Sequence, residues 1–203
     1  NEGKKQKTDD PVEDPLFSEP VISYKKDEYR TAYMVPTVKM YFGEGTNGMV
    51  FKLDKEKLAQ FNPHSPLLGI PCQLLVKKTD EDSFDEFQVG HQLEHKNLVK
   101  SYYLFKKTFQ ENGEEKSRYK IVMEKIKGCS LEDSERLDSD SIKRYIQSTR
   151  ECCLYLFDQG YYWCDCGMRN ILIEAKTGEL KFIDYGDWVK LEDEPLELAE
   201  TLL

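Results

Sequence analysis

Three polar residues in the second half of the sequence, Asp165, Asn170 and Asp184, are the first candidates for chemistry. They flank two short runs of apolar residues with high β-propensity, 170–173 and 180–183, and the segment between the runs contains Lys-Thr-Gly-Glu. This arrangement predicts two strands joined by a tight hairpin. Carboxylate and amide oxygens commonly accept protons or bind metal ions in catalytic sites. The alternative is that the same side chains only cap two turns. The remaining elements of the chain have to position them.

A glycine-rich turn lies earlier in the chain, with Gly43, Gly45 and Gly48 between the β-like runs 37–42 and 49–53. A strand rather than a helix follows the glycines, which distinguishes this G-x-G-x-x-G-x-V pattern from a dinucleotide-binding fingerprint. Without a Cβ atom, glycine lets backbone amides approach a phosphate closely. An ordinary hairpin turn is the alternative interpretation.

Two lysines, Lys77 and Lys78, end the next β-like run, and an apolar stripe over 83–93 then predicts a helix that contains Glu86. Side chains alternate along a strand, so Lys78 shares the face of Val76 and either lysine could point towards a site. Glu86 is either the partner of that lysine or one of several acids on a solvated helix face.

In this order the motifs resemble those of protein kinases, and the resemblance extends over residues 37–188. It implies that Gly43, Gly45, Gly48 and Val50 cover bound ATP. It further implies that Lys77, or alternatively Lys78, contacts the α- and β-phosphates while pairing with Glu86.

The resemblance also assigns the residues of the predicted hairpin. It implies that Asp165 accepts the proton of the substrate hydroxyl, and that Asn170 and Asp184 hold Mg²⁺. Arg169, directly before Asn170, could reach the γ-phosphate.

The segment that resembles the kinase hinge follows two predicted strands, 100–108 and 118–124, which a turn at Asn112-Gly113 joins. The resemblance places Met123 at the gatekeeper position and implies that the backbone of Glu124 to Ile126 binds adenine. An amphipathic pattern over 139–160 predicts a helix that ends at Gly160.

Several positions depart from the kinase pattern. Trp163-Cys164-Asp165 replaces the usual H-R-D, and without that arginine we expect no control by phosphorylation of an activation loop. Leu75 stands where alanine is common and would crowd the adenine site. We expect Trp163 and Tyr185 to pack against each other.

The resemblance implies an α+β fold, namely a bilobal protein kinase-like fold with a five-stranded antiparallel N-lobe sheet and a truncated helical C-lobe. We expect a polar tail over 1–20, an N-lobe with the hinge over 21–127 and a reduced C-lobe over 128–203. Residues 54–71 are interpreted as an insertion. Because only residues 187–203 follow Gly186, the chain resembles the minimal kinases that some pathogens encode, which rely on a partner.

Composition narrows the function classes. The formal net charge of −9 argues against binding to nucleic acid, and no apolar run is long enough for a membrane span. The six cysteines show no CxxC pair, which favours reduced thiols and a cytoplasmic location, including the cytosol of a host cell.

The function predicted from the sequence is that of a protein kinase that uses ATP and Mg²⁺ to phosphorylate a protein substrate. We expect an activating protein partner whose contact face is basic, because this chain is acidic. Two alternatives stay open. One is a kinase-fold scaffold that acts by binding a partner, and the other is a small-molecule kinase of the aminoglycoside or choline type or a transferase that uses the kinase fold for AMP.

Overall fold

The computed structural model describes residues 21–25, 49–79, 83–135, 137–164 and 167–190. Its largest element is a five-stranded sheet in the order β1-β4-β5-β3-β2. The strands are β1 (Val21–Lys25), β2 (Met49–Lys52), β3 (Leu74–Thr79), β4 (Ser101–Glu111) and β5 (Glu114–Glu124). The polar tail, the predicted strand 37–42 and the glycine-rich turn lie outside the described residues.

The predicted all-antiparallel sheet is wrong at one edge. Strands β2, β3, β5 and β4 pair antiparallel, whereas β1 runs parallel to β4. The predicted hairpin between β4 and β5 is confirmed, with Asn112 at φ 55° and Gly113 at φ 84°. Two consecutive positive φ angles are typical of the type I′ turn, which suits the twist of a hairpin.

One face of the sheet is covered by elements within residues 54–71, the segment interpreted from the sequence as an insertion. They form a helix, α1 (Lys55–Phe61), capped by the Asp54 side chain, and a 3₁₀ turn, Pro66–Gly69. Leu58 and Leu67 are fully buried against sheet residues that include Val76, Phe105 and Val122. We call this the outer face, and its apolar contacts are what hold so short a helix in place.

The opposite, inner face of the sheet packs against a second helix, α2 (Phe84–Gln92), where the sequence predicted one. Phe87 of α2 is buried with Leu104, Tyr119 and Ile121 of the sheet. This contact fixes the distance between α2 and β3, and therefore the distance between Glu86 and Lys77.

The remaining described residues are built around a long helix, α3 (Ser139–Asp158), which begins at the N-cap Asp138 and is followed by Gly160 at φ 80°. The other elements are the strands β6 (Gly128–Ser130), β7 (Tyr161–Trp163), β8 (Ile171–Glu174), β9 (Leu180–Phe182) and β10 (Trp188–Lys190). They form a three-stranded sheet, β6-β8-β9, and a pair, β7-β10. No helix among the described residues is long and apolar enough to cross a membrane.

Candidate functional site

A buried lysine between two carboxylates forms the centre of the candidate site. The Nζ atom of Lys77 lies 2.7 Å from Oε1 of Glu86 and 2.7 Å from Oδ1 of Asp184. These residues come from β3, α2 and the turn after β9, which are far apart in the sequence. The structure therefore brings together three of the residues that the motifs predicted, and it pairs Glu86 with Lys77 rather than with Lys78.

The charges of this triad determine its electrostatics. Burial alone would lower the pKa of Lys77, but the carboxylates of Glu86 and Asp184 outweigh burial and raise it above the ordinary value. Lys77 therefore stays protonated. The side chain of Glu86 is only 8% exposed, which rules out the alternative of one acid among several on a solvated helix face.

Asp184 occupies a turn with an unusual backbone conformation, at φ 62°. This left-handed region is uncommon for residues other than glycine, asparagine and aspartate. A Cβ atom on Gly186 would lie 3.8 Å from both the Asp184 and the Glu86 carboxylates, so the turn passes close to both acids. The backbone amide of Ile183 donates to the Asn170 carbonyl at 2.9 Å, which places Asp184 next to Asn170.

Tyr185 fixes this turn to the core. Its hydroxyl accepts from the Val99 amide at 2.6 Å and lies 3.0 and 2.9 Å from the carbonyl oxygens of Val99 and Phe182, to one of which it donates. Burial raises the pKa of Tyr185 well above its ordinary value, so the hydroxyl remains a donor. These hydrogen bonds were not foreseen from the sequence, because they depend on a hydroxyl at a position where the family pattern has phenylalanine.

Trp163, the expected partner of Tyr185, lies in the same buried cluster. The ring of Trp163 meets the ring of Phe182 edge-on, with the two centroids 5.2 Å apart. Aromatic packing and the Tyr185 hydrogen bonds together hold the turn that carries Asp184.

Helix α2 approaches Tyr185 at Gly90, a residue that belongs to none of the predicted motifs. A Cβ atom there would lie 2.4 Å from Ser101 Oγ and 2.8 Å from Tyr185 Cε2, which is too close for either contact. Gly90 therefore allows α2 to pack directly on the Tyr185 ring, and this contact links the position of Glu86 to that of Asp184. A glycine inside a helical pattern is the sequence signal that could have indicated it.

We expect Tyr185→Phe to lower the free energy of unfolding by about 1–3 kcal/mol, because the variant leaves buried backbone groups without their hydroxyl partner. Urea denaturation followed by circular dichroism measures the change. Tyr145→Phe is the matched control, since Tyr145 packs against the same cluster and its hydroxyl has no hydrogen bond to another described residue. Equal losses in the two variants would contradict the role of the hydroxyl.

Val50 and Met123, two of the residues predicted to surround adenine, lie on the inner face with Lys77. Val50 is directly opposite Lys77, and Leu75 is directly opposite Met123. The amide of Glu124 donates to the Lys100 carbonyl at 2.9 Å, and Ile126 is buried. The half-buried Leu75 therefore occupies the position at which the sequence predicted crowding.

Four predicted site residues cannot be placed. Gly43, Gly45, Gly48 and Asp165 lie outside the described residues. Arg169 is exposed in the 3₁₀ turn that also contains Asn170, whereas Asn170 itself is 6% exposed. The structure thus places Arg169 beside Asn170, while the proton acceptor remains an expectation from the sequence.

The oxygens of Asn170 and Asp184 suit Mg²⁺, which is commonly bound by one or two carboxylates together with substrate phosphates and water. Within the described ranges, no group of three or more His, Cys, Asp or Glu side chains could hold a metal ion. The donor set fits an ion that a phosphate ligand helps to bind.

Comparisons with known proteins bear on the family of the chain. A family model described as protein kinase domain matches residues 37–200. The serine/threonine-protein kinase pim-2 of Danio rerio is 29% identical over 80 residues, which are 37% of this chain and 26% of the relative. The match thus spans about a quarter of the curated relative.

Proposed function

The chain belongs to the protein kinase family, and we propose that it transfers the γ-phosphoryl group of ATP to a hydroxyl group of a protein. The observation that carries the proposal is the buried Lys77, held 2.7 Å from Glu86 and 2.7 Å from Asp184. Phosphoryl transfer depends mainly on positioning and on stabilising charge, and this triad supplies a fixed cation beside a candidate magnesium ligand.

The proposed roles of the triad follow from its charges. Lys77 binds the α- and β-phosphates, and Glu86 keeps the Lys77 side chain in place when a nucleotide replaces Asp184 as its second partner. Asn170 and Asp184 would hold Mg²⁺, which neutralises phosphate charge when bound. The glycine-rich turn with Gly43, Gly45 and Gly48 would close over the phosphates.

The adenine end of the proposed site uses backbone atoms. The Glu124 amide already donates to Lys100, so we assign the Glu124 carbonyl and the Ile126 backbone to adenine. Val50 would cover the base, and Met123 would limit the depth of the pocket.

At the other end, Asp165 would accept the proton of the substrate hydroxyl and Arg169 would bind the γ-phosphate. The proposed role of Arg169 is supported by its exposed position directly before the buried Asn170.

Binding of Mg-ATP should stabilise the protein against heat. A ligand present at 100 times its Kd adds about 2.7 kcal/mol, which for a chain of this length raises Tm by roughly 5–10 °C. The measurement is a thermal melt with ATP, with Mg²⁺ and with both, and AMP serves as the control nucleotide. A shift that needs both components supports the proposal, and the lack of any shift with Mg-ATP would overturn it.

A scaffold that does not bind nucleotide is the second candidate, and the observation in its favour is Leu75. Its side chain lies on the inner face opposite Met123, where its volume reduces the space for adenine. If Leu75 blocks the site, Leu75→Ala should create the Mg-ATP shift that the wild-type protein lacks.

We also propose that a protein partner raises the activity. The outward side of α3 carries four large apolar side chains that are between 44% and 65% exposed, namely Ile142, Ile146, Leu154 and Phe157. Such an exposed apolar stripe on one side of a helix is typical of an interaction surface. By helical spacing, Lys143 and Arg150 fall within the stripe. At this face we therefore assign a partner that contributes apolar side chains.

A further inference from the structure

The apolar stripe of α3 carries positive charge along its length. With about 100° of rotation per residue, its four apolar side chains fall within one arc that runs from Ile142 to Leu154. Lys143 and Arg150 fall inside this arc, whereas all the acids of α3 fall outside it. Lys143 also lies 3.7 Å from Asp140, but both side chains are largely exposed, so this ion pair contributes little. The stripe therefore suits an apolar segment that carries negative charge.

The described part of the chain ends beside one end of this stripe. Strand β10 pairs antiparallel with β7, and Lys190 lies directly opposite Tyr161. Only Gln159 and Gly160 separate Tyr161 from the last residue of α3. Because β7 leads away from α3, the antiparallel strand β10 leads back towards it. The chain therefore continues from a point near the C-terminal end of α3, close to Phe157.

The sequence that continues from this point, residues 191–203, lies outside the described residues, but its composition is complementary to the stripe. It contains five acids and no lysine, arginine or histidine. At helical spacing its apolar residues after Pro195 share one side, which Glu197, Glu200 and Thr201 do not. These apolar residues are Leu196, Leu198, Ala199, Leu202 and Leu203.

The length of this segment also matches the stripe. Ile142 and Phe157 are fifteen residues apart, which is about 22 Å along a helix. The thirteen residues of the segment span about 20 Å as a helix and up to about 43 Å when extended. A tether this short gives an effective concentration of the order of millimolar, which favours contact within one molecule over contact with a second copy at micromolar concentration.

We propose that residues 191–203 dock on the apolar stripe of α3 in the same molecule. The leucines of the segment contact the apolar side chains of the stripe, and its acids lie near Lys143 and Arg150. Docking does not depend on phosphoryl transfer. It does regulate the protein partner proposed above, because that partner has to displace the segment before it can bind the stripe.

The experiment places a photoreactive group in the segment, as Leu198→p-benzoylphenylalanine, and maps the cross-links by mass spectrometry after irradiation. We expect cross-links to α3 residues of the stripe. Thr201→p-benzoylphenylalanine is the matched control, because position 201 falls on the other side at helical spacing, and it should cross-link to α3 about 5-fold less or weaker still. Adding Ile146→Gln/Phe157→Gln to the Leu198 variant should lower the yield to a similar extent. Adding Asp158→Asn, which changes an exposed α3 residue outside the stripe, should change it less than about 2-fold.

A mixture of ¹⁴N- and ¹⁵N-labelled protein identifies the molecule that supplies the segment. Cross-links that join only like isotopes support docking within one molecule, and mixed-isotope cross-links would assign the stripe to a second copy instead. Equal yields from positions 198 and 201, cross-links outside α3, or a yield that Ile146→Gln/Phe157→Gln leaves unchanged would each overturn the proposal. Leu202→Gln leaves α3 intact, so it tests the contact even if the α3 variant does not fold. It should also lower the yield about 5-fold, and an unchanged yield would contradict docking through the leucines.

Discussion

Replacing Asp184 with alanine should abolish the Mg²⁺-dependent stabilisation by ATP while leaving the protein folded. Asp184 supplies the carboxylate of the proposed magnesium site, and with Asn170 alone the protein would offer a single neutral oxygen ligand. The thermal shift of roughly 5–10 °C expected for the wild-type protein with Mg-ATP should then disappear. Lys77 keeps Glu86 at 2.7 Å, so the buried lysine retains one charged partner.

A second variant separates the loss of a ligand from strain in the backbone. Asp184 has φ 62°, a conformation that asparagine adopts more readily than alanine. Asp184→Ala should therefore lose about 1 kcal/mol of stability without any ligand, and Asp184→Asn should lose less. Both variants should lose the response to Mg²⁺, because neither has the carboxylate.

The measurement is the thermal melt with and without Mg-ATP for the two variants and for Asp158→Ala. Asp158 is the last residue of α3 and is exposed, which makes it a control for loss of an acid elsewhere. Asp158→Ala should retain the full shift. A normal Mg-ATP shift in Asp184→Asn would show that this turn does not bind the metal, and the proposed site would have to be abandoned.

Much of the candidate site could be predicted from the sequence, because its residues occur in short motifs with fixed spacing. The helical stripe over 83–93 predicted α2 and placed Glu86 on it. The sequence could not decide whether Lys77 or Lys78 points towards the site. Neighbouring side chains on a strand point to opposite faces, and the sequence does not show which face packs against α2. Tertiary contact decides it: Phe87 packs α2 on the inner face, and only Lys77 projects from that face towards Glu86.

The features that the sequence did not reveal depend on contacts between distant segments. Strand β1 pairs parallel with β4, and nothing local in either strand records that direction. Helix α1 is only seven residues long and is followed by Pro63 and Pro66, so its stability comes from burial of Leu58 rather than from helix propensity. The hydroxyl of Tyr185 acquires its role through Val99 and Phe182, which were not identified as its partners.

Replacing Asp165 with asparagine should reduce phosphoryl transfer by about 10²–10⁴-fold, the usual contribution of one general base. The side chain keeps its size and can still accept a hydrogen bond, but it no longer takes up the proton of the substrate hydroxyl. ATP does not require this group for binding, so the thermal shift with Mg-ATP should be retained. The combination of normal nucleotide binding and lost transfer distinguishes Asp165 from Asp184.

The assay follows labelled phosphate from ATP to protein, for the isolated wild-type protein, for Asp165→Asn and for Asp158→Asn as the control. We expect weak transfer by the isolated protein, well below the 1–100 s⁻¹ typical of protein kinases, because a partner is proposed to raise it. Equal labelling by the wild-type protein and Asp165→Asn would refute the kinase assignment. A fast isolated wild-type protein would refute the partner requirement alone.

The partner is tested in the same assay with added cell extract and with Ile146→Gln/Phe157→Gln, which removes apolar surface from α3. Both side chains are about half exposed or more, so the double variant should fold normally and keep the basal rate. Extract should stimulate the wild-type protein at least 10-fold and this variant much less. The labelling measured with Asp165→Asn and extract comes from other kinases in the extract. This background is subtracted from the labelling measured with the wild-type protein and extract. Equal stimulation of the wild-type protein and the α3 variant would show that the partner, if it acts, does not bind through the apolar stripe of α3.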